Sequence, residues 1–199
     1  MESTMQHSPL VVGEILRHGR DVYGQSEVAT YEGDRWRRSS FKAIAERVER
    51  LAAGLSALGV RQGERVATFC FNHQEHMEAY LAVPCMGAVL HTLNVRLFPD
   101  QLRYVIDHAE DKIIICDAML AGALGRVVRD CPSVKEILVV GGDTKAGGQA
   151  GGQAGGQPGG QPGTDFSVLG HSLSYEELIA SAEPGFDWPE LDETSAAAM

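Results

Sequence analysis

Four short runs built almost wholly of apolar residues, with helix-like stretches between them, constrain this chain more than any other feature. They are RVATFCF (65–71), AVLHT (88–92), KIIIC (112–116) and KEILVV (135–140). Near-continuous apolarity belongs to strands covered on both faces, which is the habit of parallel sheets. The first gap holds a helical pattern over about 73–86. The second opens at Pro99, a residue suited to a first helical turn, and its inward face is Leu102, Val105, Ile106 and Ala109. The third, Ala118 to Arg129, also reads as a helix. Strand and helix in strict alternation imply parallel strands joined by right-handed crossovers. The expected fold class is therefore α/β: a mostly parallel sheet with crossover helices, preceded by a β-hairpin. The order of strands across the sheet is left open.

Before the sheet, residues 10–19 suit a short helix with Val12, Ile15 and Leu16 on one side. EVATYEGDRWRRSSF then reads as the hairpin, turning at Gly33-Asp34. From Ser40 to Leu58, Phe41, Ile44, Ala45, Val48, Leu51, Ala52, Leu55 and Leu58 recur at spacings of three and four, the strongest helix signal in the chain. Ser39 or Ser40 supplies its N-cap and Gly59 its stop. Asn72 is placed to cap the next helix, and Pro84 should kink it or end it early.

Residues 147–162, GGQAGGQAGGQPGGQP, repeat a four-residue unit without a large apolar side chain. Such a stretch cannot offset its ordering entropy by burial, and it reads as a flexible insertion. A phosphate-binding loop is disfavoured there, because no helix start and no Lys-Ser or Lys-Thr closes it. Past it, Ser174 and Glu177 form a capping box for a short helix. The expected organisation is a tail at 1–9, an α/β subdomain at 10–142, the insertion at 143–171, and a short helix with an extended run-out at 172–199.

The formal net charge of −10 opposes nucleic-acid binding, which needs surplus Lys and Arg. Cys70, Cys85, Cys116 and Cys131 have no C-x-x-C spacing, and two lie inside strand-like runs. That pattern suits reduced thiols and a cytoplasmic setting. The longest nearly apolar run, 81–90, is too short for a transmembrane span of about 20 residues.

Three constellations invite chemistry. Cys70, His73 and His76 stand as C-x-x-H-x-x-H at a strand–helix junction. Zinc asks for three or four converging ligands and no fourth is in view, so no metal is expected. His91, Asn94 and Arg96 lie just past a strand's C-terminal end, where open parallel sheets bind ligands, and they are the candidates for lying near a substrate. The simpler role for Asn94 and Arg96 is to fix the turn through local backbone groups. Asp107, Glu110 and Asp111 cluster around His108, and Asp107 and Glu110, three apart on one helix, read as a solvated helix end; Trp36 and Trp188 read as packing residues.

Taken together, the segments resemble the acyl-adenylate-forming enzymes, most of all the fatty-acid–CoA ligases. Ser40-Phe41-Lys42-Ala43-Ile44 is similar to the first core motif of that superfamily. LSALGVRQGERVA (55–67) resembles its LxxLGVxxGDRVA turn, with Glu64 in place of Asp. AVPCMGAVLHTLNVRLFPDQLRYVIDHAEDKIIICD (82–117) resembles the second core motif and its continuation, and FDWPELDETSAAAM the approach to the third. The resemblance covers roughly 10–142 and 172–199. It implies a parent enzyme that uses ATP, Mg2+ and CoA to convert a fatty acid to acyl-AMP and then acyl-CoA. The Thr/Ser/Gly-rich loop ending in Pro-Lys-Gly, the adenine and ribose motifs and the adenylation lysine are not in these 199 residues. The resemblance therefore implies an N-terminal fragment, inactive alone, with no catalytic and no cofactor-binding residue assigned. Self-association or a homodimer is expected through surface the missing part would cover. The alternatives are a stand-alone interaction module and a fragment of a fatty acyl-AMP ligase. A dinucleotide-binding domain is disfavoured by the lack of G-x-G-x-x-G.

Overall fold

The computed structural model describes residues 8–141 and 166–199. Helix α1 (Val12–Val22) leads into the antiparallel hairpin β1 (Glu27–Tyr31) and β2 (Trp36–Ser40), and Ser40 caps α2 (Phe41–Ala57) by accepting the Ala43 N–H at 3.2 Å. Gly33 turns the hairpin and Gly59 ends α2, both at positive φ that a side chain would resist. There follow β3 (Arg65–Phe69), α3 (Gln74–Cys85), β4 (Val89–Thr92), α4 (Pro99–Ala109), β5 (Ile113–Asp117), the single turn α5 (Ala121–Leu124), β6 (Glu136–Val140), β7 (Leu173–Ser174) and α6 (Tyr175–Ser181).

The five strands β3 to β7 form one parallel sheet in the order β4-β3-β5-β6-β7. Alternation along the strands divides the core into two layers. Val66, Leu90, Ile113, Ile115 and Leu138 meet α2, α3 and α6 on one face. Ala67, Phe69, Ile114, Cys116, Ile137 and Val139 meet α4 and α5 on the other. The parallel α/β architecture expected from the apolar runs is present.

Local details differ from the sequence reading. The first helix runs three residues further, to Val22. His73, not Asn72, is the N-cap of α3, and the helix ends at Cys85, one residue past Pro84. The helix expected over 118–129 is broken into 3-10 turns around the short α5, because Gly122 and Gly125 weaken helix propensity there. A Cβ on Gly125 would also meet the Val168 carbonyl oxygen at 2.9 Å. Trp36 is exposed on the hairpin, tilted against Tyr31 at 5.0 Å, whereas Trp188 packs against the core. Most of the 143–171 stretch falls outside the described residues. Its end is ordered as a 3-10 turn, Phe166–Leu169, with Leu169 buried. Two-residue β7, which the sequence did not announce, closes the far edge.

Candidate functional site

Between β3 and β5 the chain's connections diverge: β3 leads outward through α3 to β4, whereas β5 leads the other way to β6. The crevice at the carboxyl ends of two such strands is where open α/β sheets bind ligands. Phe69 pairs with Cys116 in the register, so Cys70 and Asp117 are next to one another at that end. Both point to the α3 face by alternation, toward the first turn of α3.

The first turn supplies His73. Its Nε2 lies 2.7 Å from Asp117 Oδ1, and its Nδ1 lies 3.0 Å from Glu75 Oε2. Glu75 in turn is held by the Arg37 guanidinium at 2.9 Å, and Asp117 Oδ2 accepts the Phe71 N–H at 2.7 Å. Burial pushes the His73 imidazolium down, but the hydrogen bonds to Asp117 and Glu75 outweigh it and raise the group to about 9. Burial likewise pushes Glu75 up, and His73 with Arg37 reverses this and holds the carboxyl at about 2. Nδ1 is also 3.2 Å from the His76 N–H. The doubly protonated ring donates to Glu75, and only a ring without the Nδ1 proton can accept from His76. The Cys70 thiol, buried beside Asp117, is raised well above its ordinary value by burial first and the carboxylate second.

The three residues of the C-x-x-H-x-x-H run part company here. Cys70 and His73 converge with Asp117, their ligand atoms all within 4.8 Å of one another. His76 turns away, its Nε2 3.0 Å from Thr68 Oγ1 and its Nδ1 3.2 Å from the Phe71 carbonyl, and burial lowers its basicity. His76 is buried on the α3 face and His73 is largely covered there. Asp117 and Glu75 were missed by sequence reasoning. The signal available was a carboxylate closing an otherwise apolar strand, IIICD.

His91 lies within β4, not past its end, on the opposite face of the sheet. Its Nδ1 is 2.9 and 3.0 Å from the two oxygens of Asp111, which is fully buried and raised by that burial. Asp111, the third carboxylate of the group around His108, is thus set apart from the helix end by its burial. Asn94 Oδ1 accepts the Arg96 N–H at 2.9 Å and pins the turn after β4, and both side chains are exposed. The structure does not bring His91, Asn94 and Arg96 into one cluster.

Around α3 the polar groups continue as a buried chain. Glu78 accepts from Arg47 at 2.6 and 3.1 Å, from Gln74 at 2.8 Å and from the Tyr175 hydroxyl at 2.8 Å. Gln74 also accepts from Ser39, and its N–H donates to Thr30. Hairpin, α2, α3 and α6 are tied together directly behind the crevice.

The family model for AMP-binding enzyme matches residues 17–175. This chain belongs to the AMP-binding enzyme family. Among curated relatives, the medium-chain-fatty-acid–CoA ligase of Ectopseudomonas oleovorans is 31% identical over 201 residues, covering 100% of this chain and 33% of that protein. The long-chain-fatty-acid–CoA ligase of Thermus thermophilus is 40% identical over 146 residues, covering 72% of this chain and 26% of that protein. A crystal structure titled as a long-chain-fatty-acid–CoA ligase from Archaeoglobus fulgidus covers 98% of this chain and 34% of that chain with a TM-score of 0.74 at 17% identity, a likeness of fold. The chain therefore spans about a quarter to a third of the length of these relatives. Among the described residues, no helix is long and apolar enough to cross a membrane.

ATP does not fit the crevice as this chain builds it. The groups gathered there are two carboxylates, an imidazole and a thiol, and Arg37 is already engaged by Glu32 and Glu75. A polyphosphate requires cationic side chains or a fan of backbone N–H donors. No residue of this chain is assigned to ATP, Mg2+ or CoA.

Proposed function

We propose that this chain is the amino-terminal part of an ATP-dependent fatty-acid–CoA ligase, a scaffold that is inert in the chemical step on its own. The observation that carries the reading is the match along the whole chain to a medium-chain-fatty-acid–CoA ligase. In such a parent the fatty carboxylate attacks the α-phosphate of ATP, giving acyl-AMP and pyrophosphate, and the thiol of CoA then displaces AMP. Charge developing on phosphate must be stabilised by cationic groups, and the His73 and Arg37 cations of the crevice described above are already engaged by carboxylates.

Two structural features support a parent that continues past Met199. Leu90 of β4 donates to the Ala197 carbonyl at 3.0 Å and accepts from Met199 at 2.9 Å, a parallel bridge on the outer edge of the sheet. A chain extended along that line arrives at the carboxyl end of the sheet, where a phosphate loop would be useful. The same end presents Phe71, Phe98 and Met119, all exposed, which favours cover by further chain or self-association. His91, Asn94 and Arg96 remain proposals for proximity to the acyl site. A cytoplasmic setting accords with four cysteines that are all free and buried.

The deciding assay is fatty-acid-dependent exchange of pyrophosphate into ATP. The 199-residue chain should give none, and a chain extended downstream to a Pro-Lys-Gly loop and beyond should be active. Exchange by the 199 residues alone would overturn the inert scaffold. A downstream reading frame without such a loop would overturn the ligase parent and favour an interaction module.

A further inference from the structure

We propose that Cys70 Sγ, His73 Nε2 and Asp117 Oδ1 form a binding site for one zinc-class divalent cation at the crevice between β3 and β5. Each of the three residues offers a ligand atom within 4.8 Å of the other two, His73 Nε2 and Asp117 Oδ1 being 2.7 Å apart although Asp117 lies 44 positions along the chain from His73. Cys70 follows the last residue of β3, Asp117 ends β5 and His73 caps α3, so the ligands stand on the rigid ends of packed elements. A thiolate, an imidazole and a carboxylate form a donor set suited to zinc and unsuited to magnesium or calcium, which prefer oxygen throughout.

The surroundings are those of a metal site one shell further out. A ligating histidine usually donates its second nitrogen to a carboxylate, which fixes ring and tautomer. Here Nδ1 of His73 faces Glu75 at 3.0 Å, and Arg37 holds Glu75 from behind. The carboxylate ligand is oriented as well, since the Phe71 N–H occupies Oδ2 of Asp117 and leaves Oδ1 toward His73. Charge also balances. A divalent ion with the Cys70 thiolate and the Asp117 carboxylate is neutral overall, which a crevice this buried favours. The His73 side chain retains 15% exposure, so solvent reaches the crevice and a water could complete the four ligands that zinc takes.

Tetrahedral coordination separates ligand atoms by about 3.3–3.8 Å for zinc bond lengths near 2.0–2.3 Å. The 2.7 Å contact between His73 and Asp117 must open slightly and the sulfur must close in, movements of about 1 Å within side-chain reach. Binding forms the metal–sulfur, metal–nitrogen and metal–oxygen bonds. It releases to solvent the thiol proton, now directed to the Ile115 carbonyl, together with any proton on Nε2.

The test uses the 199-residue chain with Co2+ as a spectroscopic stand-in for Zn2+. A thiolate-to-cobalt charge-transfer band and the strong visible bands of a tetrahedral ion should saturate at one Co2+ per chain and vanish on adding Zn2+. Cys70→Ser should abolish the charge-transfer band, whereas Cys116→Ser and Cys131→Ser retain it. Glu75→Gln should weaken affinity about 10–100-fold. X-ray absorption of the Zn2+ form, which needs no variant, should report one sulfur with nitrogen and oxygen neighbours. A zinc shell without sulfur, or a charge-transfer band that survives in folded Cys70→Ser, would overturn the assignment.

Discussion

Replacing Glu78 by alanine should be among the most damaging single changes available in this chain. Glu78 is fully buried, and its two oxygens receive Arg47, Gln74 and the Tyr175 hydroxyl. Burial pushes the carboxyl above its usual range, opposed by Arg47, Gln74 and Tyr175, so these partners are what make the ionised form tolerable. In Glu78→Ala, Arg47 keeps only the more exposed Glu176, and the Tyr175 hydroxyl keeps a 3.5 Å contact to the Glu75 carbonyl. Breaking a buried pair on one side costs about 3–5 kcal/mol, which exceeds the worth of any surface ion pair. At about 2–4 °C per kcal/mol for a chain of this size, Tm should fall by roughly 10 °C. Glu78→Gln keeps one acceptor oxygen but turns the other into an NH2 donor facing donors, so it loses the charge and part of the network yet should still cost less than alanine, and Tyr175→Phe about 1–2 kcal/mol. Urea unfolding of the three variants, followed by far-UV circular dichroism, provides the comparison. The reasoning is refuted if Glu78→Ala lies within 1 kcal/mol of the parent chain, or if Glu78→Gln is the worse of the two.

Three further outcomes are expected. In the metal-free chain His73 should titrate near 9, against 6.5 unperturbed; its stabilising contribution is complete below pH 6.5 and fades as pH rises through about 9. NMR of the ring and unfolding as a function of pH read this, with an amplitude on the order of 3 kcal/mol, and His73→Gln should flatten it; an unchanged profile would contradict the two-carboxylate account. Asp111→Ala strands the buried His91 ring and should cost about 2–3 kcal/mol in denaturant unfolding, with a loss under 0.5 kcal/mol counting against the pair. Gly54→Ala places a Cβ 2.7 Å from Leu178 Cγ, so overpacking of about 1–3 kcal/mol should exceed the gain of up to about 1 kcal/mol in helix propensity. Adding Leu178→Ala should remove that penalty, and if it does not, the α2–α6 contact is not its source.

The sequence by itself determined the elements and their class. Apolar runs such as KIIIC can be covered only on both faces, and the three-and-four spacing from Phe41 to Leu58 can face a core only as a helix, so both signals are local and survive without knowledge of the fold. The family, too, was legible in contiguous stretches. What the tertiary structure decided is everything that depends on contacts between distant residues. Strand order placed β3 beside β5, and that adjacency brought Asp117 to His73 across 44 positions and Asp111 to His91 across 20. Sequence spacing paired Cys70 and His73 with His76, their neighbour in the chain. Register paired them with a carboxylate on another strand, because side chains at the ends of neighbouring parallel strands meet whatever their separation along the chain.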